Sequence, residues 1–182
     1  MPQYVAFLRA INVGGHTVKM DRLRTLFEEL RFSGVATVIA SGNVVFSTST
    51  ITTGALESRI ESRLASALGY DVATFVRLVS DVPAIAALRP FPAAALPPPD
   101  AGAVWIGFLK AEPPADARRR FEALSSDLDR LRVAGREVYW SCRTRMSESV
   151  VSSARLEKVL GAPATFRNVT TVRKIAETYA RA

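Results

Sequence analysis

The sequence predicts an α+β protein: a ferredoxin-like βαββαβ N-terminal half joined to a second, smaller α/β half, both built on antiparallel sheets. Three observations carry the prediction. Strand-like apolar runs alternate with helical stripes in the order β-α-β-β-α-β over about the first 80 residues. A stretch holding Pro90, Pro92 and Pro97-Pro98-Pro99 then breaks the pattern, because proline cannot pair inside a sheet. Beyond it the order restarts as β-α-β-β, with no residue-level repeat of the first half. The chain therefore divides into a ferredoxin-like domain at 1–80, a Pro-rich junction at 81–102, and a second α+β domain at 103–182 with a basic, helical C-terminal tail.

Each element follows from its residues. Tyr4 to Ile11 is an apolar strand running into the turn Asn12-Val13-Gly14-Gly15. Met20, Leu23, Phe27 and Leu30 fall at helical spacing, with Asp21 early, where the helix dipole favours a carboxylate. Ala36-Thr37-Val38-Ile39 and Val44-Val45-Phe46-Ser47 flank Ala40-Ser41-Gly42-Asn43 and read as a hairpin. Over 54–68, Leu56, Ile60, Leu64 and Leu68 form one stripe, while Glu57, Arg59, Glu61 and Arg63 are expected to point away. Gly69 is a natural stop, and Val72 to Val79 is strand again. With both helices on one face, the other face of this sheet is expected to be free for an interdomain or dimer contact.

After a short helix at 82–89, Ala103 to Leu109 is a strand, and Pro113-Pro114 opens a helix buried through Ala117, Phe121 and Leu124. Leu128 to Val133 and Glu137 to Ser141 form a hairpin about Ala134-Gly135. Arg143 to Ser153 reads as a loop and Ala154 to Leu160 as a short helix. Thr165 to Thr170 leads into a final helix, with Val172, Ile175, Ala176 and Tyr179 on one face and Asn168 or Thr170 as its cap.

Composition removes several function classes. An apolar fraction of 48% with 23% charged residues excludes wholesale disorder. No apolar run approaches the ~18 residues of a membrane span, so no membrane partner is expected. The start, Met1-Pro2-Gln3-Tyr4, shows no signal-peptide pattern, and a cytoplasmic location is expected. A single cysteine, Cys142, excludes an internal disulfide and a multi-Cys zinc cluster, and no metal site is expected. The single histidine, His16, is the only imidazole base available to a nucleophile. Asp127 and Asp129 read as local caps near a turn. Whether the chain is an enzyme stays open, and no cofactor is implied.

Charge is unevenly spread. Residues 1–129 carry 13 basic and 13 acidic side chains, whereas residues 130–182 carry 11 basic and 4 acidic, so the surplus of +7 lies wholly in the last segment. Such asymmetry favours an anionic partner, or else basic faces that are merely solvated.

Three segments can carry anion chemistry. In Arg9-Ala10-Ile11-Asn12-Val13-Gly14-Gly15, paired glycines let backbone amides converge, the following helix start adds partial positive charge, and Lys19 adds a full one. Neither a P-loop nor GxGxxG is present, and a plain glycine turn with Arg9 paired locally is the other reading. Ser41-Gly42-Asn43 is a hairpin turn by its residue preferences, expected to be separate from the end of the first strand. Arg167, Asn168 and Thr170 make a basic, polar corner before a helix, or simply a capped helix with a solvated arginine.

The leading functional reading is binding of a phosphate-bearing small molecule or nucleotide at the Gly-Gly turn. Arg9, Asn12, Gly14, Gly15 and Lys19 form one set, Ser41 and Asn43 lie in the hairpin turn, and Arg167, Asn168 and Thr170 form a further set. The alternatives are a nucleic-acid-associated protein using the basic 130–182 segment, or a non-catalytic interaction module, including a homodimer. An RNA-recognition motif is excluded, because Tyr4 and Phe7 point to opposite faces of the first strand and the third offers only Phe46.

Arg9 to Gly15, Ser41 to Phe46 and Arg167 to Val172 together resemble the three signature segments of the bacterial domain-of-unknown-function family numbered 1697. The resemblance runs from Tyr4 to the final helix. It implies a bacterial, cytoplasmic protein of α+β fold, and no activity, substrate or cofactor. Two positions depart from the family pattern. Ala10 stands where glycine is usual and makes the turn less open; Val169 stands where tryptophan is usual and removes a stacking surface beside Arg167 and Asn168.

Overall fold

A computed structural model describes residues 1–12, 14–39, 42–50, 52–98 and 102–180. The chain is α+β and forms two compact units, Met1–Pro83 with Ile175–Ala182, and Ala84–Lys174.

The first unit contains β1 (Gln3–Leu8), α1 (Met20–Glu28), β2 (Ser33–Val38), β3 (Asn43–Ser47), α2 (Thr53–Leu68) and β4 (Thr74–Leu78). Its sheet is antiparallel in the order β2-β3-β1-β4, the ferredoxin-like arrangement. Tyr4, Ala6 and Leu8 point from β1 into a core with Leu23, Leu26 and Phe27 of α1 and Leu56, Ile60 and Leu64 of α2. Phe32 stacks on Phe46 at 4.4 Å between ring centres, and Phe27 meets Phe46 edge-on at 5.6 Å.

The face turned from this core, which the helices were expected to leave for another contact, is buried within the chain: Val5, Phe7, Val45 and Phe75 are completely buried. The reason is legible in β1, whose residues Tyr4 to Leu8 are apolar at every position. Such a strand belongs to a sheet covered on both sides rather than one alternating between core and water.

Strand β1 ends at Leu8 instead of running to Ile11, because Ala10 turns the backbone into the left-handed region at φ 55°. Glu57 and Glu61 do not point away from the protein. Their carboxylates accept the amides of Val76 and Thr74, each at 2.9 Å, on the edge strand β4. The α2 register thus supplies acceptors that a missing neighbouring strand would otherwise provide.

The second unit contains β5 (Ala103–Phe108), α4 (Ala115–Glu122), β6 (Asp129–Ala134), β7 (Glu137–Cys142), α5 (Ser153–Leu160) and β8 (Thr165–Asn168). The division between units falls within α3 (Val82–Ala87), and α6 (Val169–Tyr179) follows β8. The sheet order β6-β7-β5-β8 repeats that of the first unit strand for strand. Strand β8, which the sequence reading runs into the final helix, completes the repeat. It is only four residues long and acquires its conformation by pairing with β5, Phe108 opposite Thr165 and Ile106 opposite Arg167.

Residues 84–98 of the Pro-rich stretch belong to the second unit, which is consequently as long as the first rather than smaller. The Tyr139 hydroxyl donates to the Ile85 carbonyl at 2.9 Å, Ser141 Oγ to Ala95 at 2.7 Å, and an Arg143 Nη to Ala94 at 3.2 Å. Prolines cannot join a ladder, so this segment crosses the sheet and is held through side chains that reach its carbonyls. On the helix side, Asp129 is no surface cap: it is fully buried, accepting from Trp140 Nε1 at 2.7 Å and from Ser149 Oγ at 2.9 and 3.0 Å. Among the described residues no helix is long and apolar enough to cross a membrane.

Candidate functional site

The loop from β1 to α1 is held from within. Asn12 Oδ1 accepts the Val18 amide at 2.7 Å, so Asn12 closes the loop it was expected to equip for binding. Tyr70 donates its hydroxyl to the Ile11 carbonyl at 3.0 Å, and His16 stacks on the Tyr70 ring at 3.9 Å. Val13 lies outside the described residues. Gly14 and Gly15, at φ 71° and 86°, use the left-handed region that glycine enters freely, and a Cβ on either would meet nothing within 4 Å. Lys19 occupies the cap position of α1 without any side-chain hydrogen bond to the first turn. Arg9 is exposed at the end of β1, where its amide bonds the Ala73 carbonyl.

The β2–β3 turn is not separate from this region. Strands β1 and β3 are neighbours, so the start of β3 lies beside the end of β1, and the Leu8 amide donates to the Gly42 carbonyl at 2.8 Å. Asn43 is buried and closes its own hairpin by donating Nδ2 to the Val38 carbonyl at 3.0 Å. Ser41 lies outside the described residues. The cavity between Ile11, Asn12, Thr37, Ile39 and Asn43 measures about 10 Å³, room for one water at most.

The set in the second unit is committed to local structure. Arg167 is buried on β8 and donates to Thr165 Oγ1 at 2.8 Å and to the Phe166 carbonyl at 2.9 Å. Burial pulls its guanidinium down to about 10, which leaves it charged at neutral pH. Asn168 Oδ1 accepts both the amide and the hydroxyl of Thr170, at 2.9 and 2.8 Å, and so caps α6. Cys142 is buried, donates to the Thr144 carbonyl, and has its thiol pushed up by that burial, so it is no nucleophile. Among the described residues no three His, Cys, Asp or Glu side chains group to hold a metal.

What the sequence reading missed is a groove of about 430 Å³ in the second unit, lined by Arg130, Arg132 and Arg143. The signal was present as Arg130-Leu131-Arg132-Val133, whose alternation puts both arginines on one face of β6. Treating 130–182 as a bulk charge hid it.

Comparison with known proteins adds to this geometry. The model of a family described as "Protein of unknown function (DUF1697)" matches residues 1–139. A solved structure, the conserved bacterial protein SP0830 from Streptococcus pneumoniae, is similar at TM-score 0.74 with 23% sequence identity, covering 100% of this chain and 99% of its own. That likeness establishes the fold. No curated protein matches the sequence.

Proposed function

The chain belongs to the family described as protein of unknown function (DUF1697), and from its own residues we propose that it binds a phosphate-bearing small molecule whose phosphate sits at the Gly14–Gly15 turn. One observation carries the reading: two successive left-handed glycines, with open space above them, lead into an α1 terminus whose cap is Lys19 and not an acceptor. Lys19 opposes the helix dipole, which Asp21 in the first turn, paired with Arg24, favours, and the Lys19 side chain offers the first-turn amides no acceptor. A bound phosphate would satisfy both, accepting from the amides and offsetting the like charge. The adjoining cavity is too small for more than a water, so the rest of the ligand would lie on the surface.

The test is an NMR titration of the whole chain with inorganic phosphate and with adenosine monophosphate. Saturable shifts of the Gly14 and Gly15 amides are expected, weakened about two- to fivefold by Lys19→Ala, the range for one exposed charge near a helix end. Amides that stay still at both glycines would remove the reading.

A second reading, association with nucleic acid, is favoured by one observation: residues 130–182 carry 11 basic side chains against 4 acidic. It requires affinity for a short RNA or DNA that falls steeply with salt.

A further inference from the structure

We infer that the second unit carries a binding groove for an organic phosphate monoester with an apolar body. It is distinct from the turn, which lies in the other unit.

One wall is strand β6. Arg130 and Arg132 are two residues apart, so their Cα atoms stand ~6.6 Å apart and their side chains leave the same face. Both are exposed, whereas Asp129, Leu131 and Val133 between and beside them are buried on the opposite face. The other wall is the Pro-rich segment, through Pro90, Phe91, Pro92 and Ala95. Arg143 closes the groove beyond β7, its guanidinium on the Ala94 carbonyl.

The groove is built before any ligand arrives. Ser141 on β7 fixes Ala95 at 2.7 Å and Arg143 fixes Ala94 at 3.2 Å, so the apolar wall cannot collapse onto the arginines. These bonds exist because Ser141 of β7 and Arg143 just beyond it present a hydroxyl and a guanidinium to a proline segment whose Ala94 and Ala95 carbonyls have no strand to pair with. The Pro segment crosses β7 and leaves the face of β6 open, and the groove is that uncovered margin.

Its chemistry selects the ligand. Three guanidiniums face one carboxylate, Asp127, among the described lining residues. The Asp127–Arg130 pair is long, at 3.5 Å, with Asp127 fully exposed, so it holds Arg130 weakly and yields to a better acceptor. Planar guanidiniums two apart on a strand suit a group with several acceptor oxygens and more than one negative charge. A phosphate monoester is such a group near neutral pH. The opposite wall offers only hydrocarbon, and a volume of about 430 Å³ lies within the ~300–1,000 Å³ of small-molecule sites, far more than inorganic phosphate fills. An anionic head on the arginines with a ring or alkyl body on Pro90 to Ala95 satisfies both walls.

The experiment is calorimetric titration of the whole protein with phenyl phosphate, inorganic phosphate and benzyl alcohol, which supply head and body, head alone, and body alone. Phenyl phosphate should bind about tenfold or more tightly than either part. The double variant Arg130→Gln/Arg132→Gln should lower that affinity at least tenfold, as should Ala94→Asp, which sets a carboxylate on the facing wall. All three positions are exposed, so unchanged melting temperatures are expected and separate lost binding from lost folding. Lys19→Ala should leave phenyl phosphate affinity at the groove unchanged, which keeps this site distinguishable from the turn. Equal affinity for phenyl and inorganic phosphate, no saturable binding, or a preference for phenyl over inorganic phosphate that survives both groove variants would each overturn the inference.

Discussion

The two units share one topology and solve its interior differently. The first packs Tyr4, Phe27, Phe32 and Phe46 against one another beneath its helices. The second places a fully buried carboxylate, Asp129, where the indole of Trp140 and the hydroxyl of Ser149 converge. A device recurs between them: glutamates of the second helix cap the fourth strand. Glu57 and Glu61 serve β4, and Glu157 accepts the Ala164 amide at 2.7 Å just before β8. Charge does not recur. The first unit carries 9 basic and 8 acidic side chains, the second 15 and 9. The apolar pattern and the handedness of connections set the strand order, while polar residues remain free to make each unit a different surface.

The sharpest way to break that contrast is through the cores. Phe46→Ala removes the hub of the aromatic cluster and should cost about 3–5 kcal/mol in urea unfolding followed by circular dichroism. A loss below 1 kcal/mol would mean that the cluster closes around the gap and is not what holds the first unit. Asp129→Ala strands the buried Trp140 Nε1 donor and the half-buried Ser149 hydroxyl in the second unit and should cost about 1–3 kcal/mol. Both tryptophans, Trp105 and Trp140, lie in Ala84–Lys174, so their fluorescence reads this unit selectively. A fluorescence transition that does not move would show that the carboxylate is dispensable and that this core, too, is held by hydrocarbon.

The smallest effect sharpens the picture of the turn. Ala10→Gly relieves a left-handed alanine at φ 55° and should raise stability by about 0.5–1 kcal/mol, net of the extra chain entropy of glycine. A decrease would mean that the entropy of the unfolded chain outweighs the strain at this position.

Much of this was legible in advance, and the misses have physical causes. The apolar runs of β1, β3 and β5 and the stripes of α1 and α2 could be read directly, since burial needs them at fixed periods. Strand β8 could not, because Thr165–Asn168 has no period of its own and becomes a strand only beside β5. The site residues divide in the same way. Gly14 and Gly15 were readable as a turn, whereas Asn12, Asn43 and Asn168 could be read either as ligand contacts or as local caps, and each bonds the backbone around it. An asparagine near a turn has the same sequence signature in either role, because its amide serves a neighbouring peptide as readily as a bound anion. Arg130 and Arg132 show the converse: their alternation was readable, but the facing wall that makes a groove of them lies about 40 residues earlier in the chain.

The sequence by itself determined the fold class, the βαββαβ order of the first unit and the position of a flexible-backbone turn, because these depend on local period and on glycine's access to positive φ. Only the tertiary structure decided that β8 completes in the second unit the strand order of the first, that Asp129 is an interior anchor, and that residues 84–98 belong with the second unit. Each of those depends on which distant segment satisfies a given hydrogen-bonding group, and that partner is chosen by packing rather than by neighbours in the chain.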